Sequence, residues 1–216
     1  EIYINKLNGL LPDDIKIVAE ARVPYSFKVR FPQTRTYTYI QPIDPFYGES
    51  IDIDAMREAI NLFIGEHNFR NFSKRNEKNP NREITHVDLK CVDDVLVFTI
   101  EGKSFLWNMV RKMVKALLHV GYHELTVDDI EELLQPKELR QYIRLQPAAA
   151  CGLILSDINY KNIKFKESQY AKDKLAGYLK EEYLTNRQKM ITDKHLIEIL
   201  KSDNEPLTTT NKKIKG

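Results

Sequence analysis

From Phe105 to Gly121 the chain reads as an amphipathic helix. At about 100° per residue, Trp107, Val110, Val114, Leu117 and Leu118 fall on one stripe, with Lys112 and Lys115 to its side and Gly121 as a stop. Strand-like alternation precedes it. Ile15, Ile17, Ala19 and Ala21 alternate with polar neighbours, Phe27 to Phe31 is a second extended segment, and Arg35-Thr-Tyr-Thr-Tyr-Ile40 is rich in β-formers, with Arg35, Tyr37 and Tyr39 on one face. Gly48-Glu-Ser is a loop, after which Asp52 or Asp54 caps a helix whose Met56, Ile60 and Phe63 share a face and which ends near Gly65. Residues 66–73 are a compact aromatic segment. Thr85, Val87, Leu89 and Cys91 alternate, Asp93-Asp94 turns the chain, and Val95 to Ile100 returns, which predicts a hairpin.

Beyond the central helix, Thr126 caps a short helix from Val127 to Leu134 that ends before Pro136. A turn of small residues, Pro147 to Gly152, leads into a final strand from Leu153 to Tyr160, with Leu153 and Leu155 on one face. Two further helices are expected over 168–184 and 193–201, and disorder from Ser202 onward. Hairpins and helices in this order make an α+β domain with a largely antiparallel sheet and helices on one face. Residues 1–160 form that domain and 161–216 a basic helical extension.

Arg111 changes this picture. It lies about 40° from Trp107 on the helical wheel, inside the apolar face, and is expected to be at least partly buried. A guanidinium does not shed its charge by deprotonating, so burial calls for an anion. Three readings stand at this point: a structural salt bridge, a stem that snorkels to the surface, or an arginine that positions a catalytic carboxylate or a phosphate.

Composition narrows the class. The 216 residues are 42% hydrophobic with eleven Tyr and nine Phe, enough for a core. No run approaches the roughly 18 apolar residues of a membrane span, and the first residues lack a signal-peptide pattern. Cys91 and Cys151 have no Cys-x-x-Cys spacing and read as free thiols in a reducing, cytoplasmic setting. The formal charge of +2 is uneven: residues 161–216 hold 13 Lys/Arg against 8 Asp/Glu, and the remainder 20 against 23. A basic tail suits a polyanion such as RNA, and a solvated lysine-rich helix has the same composition.

The candidate chemistry follows. Tyr37 and Tyr39 beside Arg35 suit base stacking and phosphate contact as well as an ordinary half-buried strand. The polar loop from Lys74 to Arg82, with Lys74, Arg75, Lys78 and Arg82, suits phosphates or plain solvation. His119 and His123 are the only close histidine pair. With Gly121 between them and no third ligand near in sequence, they read as residues at a helix C-terminus, and no metal is expected. There is no phosphate loop and no nucleophile elbow.

Seven segments in order add a further reading: Leu11-Pro-Asp-Asp-Ile15, Phe27-Lys-Val-Arg-Phe31, Arg35-Thr-Tyr-Thr-Tyr-Ile40, Gly65-Glu-His-Asn-Phe69, Asn79-Pro-Asn-Arg82, Ser104-Phe-Leu-Trp-Asn-Met-Val-Arg111 and Gly152-Leu-Ile-Leu155. Together they closely resemble the TruA family of tRNA pseudouridine synthases, over about residues 7 to 160, with wording nearest the archaeal branch. The resemblance implies isomerisation of uridine in the anticodon arm of tRNA, no metal or organic cofactor, and a homodimer. It implies that Tyr37 stacks on the target uracil, that Arg111 pairs with the catalytic aspartate, and that Leu153 packs in the pocket. Arg30 matches a motif arginine near the substrate.

The family's nucleophilic aspartate lies in an Arg-Thr-Asp motif that is absent from these residues, and Ile191-Thr-Asp193 is no substitute. The chain is therefore expected to be the C-terminal half of the enzyme. A non-catalytic RNA-binding module and a dimerising half-domain are the alternatives.

Overall fold

The computed structural model describes residues 2–43, 51–74, 78–135 and 145–202. In chain order its elements are α1 (Ile2–Asn8), β1 (Ala19–Glu20), β2 (Thr34–Pro42), α2 (Ile53–Asn61), β3 (Gly65–Asn68), β4 (Asn81–Val92), β5 (Val95–Gly102), α3 (Met109–Gly121), α4 (Val127–Leu133), β6 (Leu153–Asn159), β7 (Lys166–Glu167) and α5 (Gln169–Ser202). They form two compact units, residues 24–163 and residues 1–23 with 164–216. The expected Gly48-Glu-Ser loop and the tail beyond Ser202 lie outside the described residues.

In the first unit a five-stranded antiparallel sheet has the order β3-β4-β5-β2-β6. This is the α+β architecture that the hydrophobic pattern implies. Strict alternation along β5 buries Leu96, Phe98 and Ile100. Along β4 the alternation is broken. The register shifts between Ile84 and His86, so Thr85 is an extra residue, exposed and hydrogen-bonded to Glu101, while Ile84 and Val87 are both buried. A bulge has moved Thr85 off the face expected for it.

The Asp52 carboxylate caps α2 through the Ala55 amide, and Met56, Ile60 and Phe63 are buried as their spacing predicts. Phe63, Phe69 and Phe72 pack against one another, edge-on and tilted. Thr126 and Asp129 form a capping box that starts α4.

The central helix begins later than expected. Asn108 sits at φ 63°, in the left-handed region, so the chain turns there and α3 starts at Met109. Trp107 is consequently off the buried stripe and 50% exposed, with the Lys74 ammonium 5.8 Å from its ring centroid. From Met109 onward α3 is buried on most sides: Val110, Val114, Leu117 and Leu118 are joined by Met113, Ala116 and Val120. Gly121 is required at its end, since a Cβ there would lie 2.5 Å from the Met56 sulfur.

Two expected strands are not formed in full. Of the alternating segment 15–21 only Ala19–Glu20 finds a ladder partner, and Ile15 is exposed. Residues 27–31 lie in turns between Pro24 and Pro32, with Val29 and Phe31 exposed. Each proline removes a ladder donor.

In the second unit β1 pairs with β7, and the Asn8 amide clamps Ile17 through both its oxygen and its nitrogen. Buried Ser168 precedes α5, its hydroxyl accepting from the Ala171 amide. One 34-residue helix follows in place of the two expected. The intervening Arg187-Gln-Lys-Met190 are good helix formers, and neither Gly nor Pro interrupts them. This helix is not apolar enough to cross a membrane.

Candidate functional site

Residues 37, 111 and 153 converge on one cleft. Tyr37 lies midway along β2, Arg111 in the first turn of α3, and Leu153 opens β6 beside β2. Their side chains line a cleft of about 220 Å³, together with Phe105, Asn108 and Ala150. The β2–β6 register shifts between Thr36 and Tyr37, and Ser156 is the extra residue on β6. Its hydroxyl donates to the Thr36 carbonyl and accepts from Thr38. Bulges of this kind re-aim a neighbouring side chain. The Phe105 ring meets Tyr37 edge-on, with centroids 5.0 Å apart at 82°, and braces one edge of it.

Arg111 is half-buried, as its place on the wheel requires, but its partners are neutral. Nε donates to the Ala148 carbonyl at 2.6 Å and Nη1 to the Asn108 side-chain oxygen at 3.3 Å. The Ala148 amide donates back to the Arg111 carbonyl at 3.0 Å. Among the described residues no carboxylate lies within ion-pair reach of it. Among the described residues, the expected anion is replaced by the oxygen dipoles of Ala148 and Asn108. A guanidinium held this way favours a carboxylate or phosphate brought to it.

The turn 147–152 is held from behind. Tyr39 is 1% exposed and donates its hydroxyl to the Ala149 carbonyl at 2.8 Å. Burial pushes its phenol pKa up, Cys151 adds to that rise, and the Arg111 charge opposes it. It stays a neutral donor. Gly152 lets the turn close on β2, because a Cβ there would stand 2.5 Å from the Ile40 carbonyl oxygen and 2.8 Å from the Tyr39 ring.

A second cleft, about 610 Å³, shares Tyr37 and Phe105 with the first and is lined by Arg30, Arg35 and Lys103. Arg35 donates to the carbonyls of Lys103 and Arg30, at 3.0 and 3.3 Å, and so ties the 28–31 turn to the end of β5. The structure thus brings Arg30 and Arg35 to this second cleft, which adjoins the first at Tyr37 and Phe105. Lys74, Lys78 and Arg82 line neither cleft. Lys74 and Lys78 are exposed, Arg82 Nη1 donates to the carbonyls of Asn79 and Asn81, and Arg75 lies outside the described residues.

The pattern of the sequence did not single out Phe105, Asn108, Lys103 or Ala148. Asn108 carries a signal in retrospect, since Asn three residues before Arg and at the start of a helix tolerates positive φ. Ala148 acts through its backbone and carries none. None of the residues lining the Tyr37 cleft is a carboxylate, serine or cysteine. The arrangement offers an aromatic wall, an apolar floor and a cation, and among the described residues that line it there is no carboxylate or thiol nucleophile.

The sequence profile of tRNA pseudouridine synthase matches residues 59–161. The tRNA pseudouridine synthase A of Methanosphaera stadtmanae is 67% identical over 93% of this chain and 73% of its own length. The chain belongs to the tRNA pseudouridine synthase A family. The enzymes of that name from Methanothermobacter thermautotrophicus and Archaeoglobus fulgidus are 41% and 36% identical, over 87% and 79% of this chain. The chain spans 66% and 63% of those two relatives. The segment matched by the family profile holds Arg111 and Leu153, whereas Tyr37 and Arg30 precede it and α5 lies beyond it.

Proposed function

We propose that the chain forms one wall of the uridine pocket of a tRNA pseudouridine synthase acting in the anticodon arm, and that the nucleophilic aspartate comes from outside these 216 residues. The observation that carries this reading is the meeting of Tyr37, Arg111 and Leu153 around a single cleft. Its volume is below the roughly 300–1,000 Å³ of pockets for drug-sized ligands and suits one unstacked base. Tyr37 stacks on the uracil, Leu153 supplies the apolar floor, and Arg111 receives the incoming aspartate on the amino groups that Ala148 and Asn108 leave open. Arg30 and Arg35 take the adjoining RNA backbone. No cofactor enters this scheme, and a homodimer in the cytoplasm belongs to it.

Single-turnover pseudouridine formation in an anticodon stem-loop tests the proposal, on the protein expressed from its complete reading frame. Arg111→Lys keeps the charge and loses the planar fork, so the rate drops about a hundredfold, the scale of loss from a misplaced catalytic group. Tyr37→Leu does the same, and the 216-residue chain alone is inactive. A rate within a few-fold of the parent for both folded variants, or turnover by the 216 residues alone, overturns it.

A further inference from the structure

The helix α5 carries a row of cations. Lys180, Arg187, Lys194 and Lys201 recur every seventh residue and are all exposed. With a rise of 1.5 Å per residue they stand about 10.5 Å apart along a line of roughly 31 Å, drifting only about 20° per heptad. Glu182 and Asp193 lie more than about 100° round the helix from Arg187. Glu198 lies alongside the row, 3.7 Å from His195, and Asp173 stands one heptad before Lys180, accepting from the Gln169 side-chain amide. A ridge of Leu179, Tyr183 and Met190, each more than half exposed, borders the row.

A second copy of this chain is a poor occupant. The ridge and its neighbours form a heptad seam, with Tyr183, Met190 and Ile197 at one position and Leu179, Asn186, Asp193 and Leu200 at the other. Pairing two such helices side by side in parallel sets Asp193 against Asp193, and pairing them antiparallel sets the cation row against itself. Both arrangements are repulsive. A line of charges that repels its own kind and faces solvent is complementary to a polyanion.

We propose that this face of α5 is an RNA-docking surface, in which Lys180, Arg187 and Lys194 with Lys201 track the phosphates of a tRNA. Tyr183 offers its ring to an adjacent unpaired base. The inference rests on the proposed tRNA substrate and adds a second, chemically inert contact remote in sequence from the cleft residues.

The test is tRNA affinity across a salt series, by fluorescence anisotropy with an unmodified transcript, on the intact protein and its triple variant Lys180→Gln, Arg187→Gln, Lys194→Gln. Each lost phosphate contact lowers the slope of log K against log salt by about 0.7–0.9, so the triple variant falls by about 2 to 3. The charge-keeping variant Lys180→Arg, Arg187→Lys, Lys194→Arg retains the parent slope. Circular dichroism and sedimentation are measured on both. An unchanged slope in a helical triple variant overturns the inference, as does a change in self-association that accounts for the affinity loss. Single-turnover chemistry at saturating tRNA stays at the parent rate in the triple variant. A parent that binds tRNA through this slope but forms no pseudouridine sinks the catalytic reading and leaves the docking surface standing.

Discussion

The unit of residues 24–163 and the unit built on α1 and α5 use the same kinds of residue to opposite ends. In the first, side chains such as Phe98, Ile100, Met113 and Leu117 are fully buried, and glycines at 102, 121 and 152 are hemmed in so closely that a Cβ would collide. In the second, Ile4, Ser168 and Ala171 are buried, Leu179, Tyr183 and Met190 are exposed, and Gly177 has nothing within 4 Å of where its Cβ would be. Residue types alone do not distinguish the two, but their arrangement differs: α2 and α3 gather their apolar residues toward one face, and α5 spreads them round the helix. What separates them further is whether another face is present to be packed against, and that sets how sharply each region answers to substitution.

The largest expected effect is in the sheet. Phe98→Ala removes a fully buried ring that stands edge-on to Tyr39, and destabilises the 24–163 unit by about 3–5 kcal/mol. Leu179→Ala on the exposed face of α5 changes stability by less than about 0.5 kcal/mol. Urea midpoints of the two variants read the contrast directly. Equal losses would mean that α5 buries its ridge after all.

Next comes Gly152→Ala. Its Cβ would press on the Ile40 carbonyl and the Tyr39 ring, both fixed in the sheet, so β6 must shift away from β2 at a cost of about 1–3 kcal/mol. The shift opens the cleft at Leu153, so on the proposed function the same substitution in the protein from its complete reading frame lowers turnover as well as stability. A thermal midpoint equal to the parent's would show that the turn 147–152 is looser than the clamp from Arg111 to Ala148 implies.

The same contrast explains what was legible. The hairpin of β4 and β5, the capped helices α2 and α4 and the strand β2 could be read from the residues because each meets a partner face of matching period. The stretch around Ile15 and Ile17 alternates equally well, yet only Ala19–Glu20 has a ladder to join. Period two marks sidedness and says nothing of a neighbour. The start of α3 was misplaced by Trp107, because a wheel drawn through Asn108 assumes a helical φ that this residue does not have. At the cleft, the partial burial of Arg111 followed from the wheel. Its grouping with Tyr37 and Leu153 came from resemblance to a family, since residues 37, 111 and 153 are joined only by tertiary structure. Its partner Ala148 was invisible because a carbonyl is common to every residue.

The smallest effect has the opposite sign. Gly177 sits inside α5, where glycine is less favourable than alanine by about 0.5–1 kcal/mol, since it gives up more backbone freedom on folding and contributes no side chain. Its Cβ direction is open, so Gly177→Ala meets no collision, and the substitution also narrows the unfolded ensemble. We expect local helix stability to rise by about 0.5–1 kcal/mol. Amide exchange in residues 170–185 then slows a few-fold while the urea midpoint of the sheet unit stays put. The position lies about 60° round the helix from Lys180, so the salt dependence of RNA binding is kept. Unchanged or faster exchange at 170–185 would show that something packs over Gly177, and the contrast between a closed unit and an open one would fail at that point.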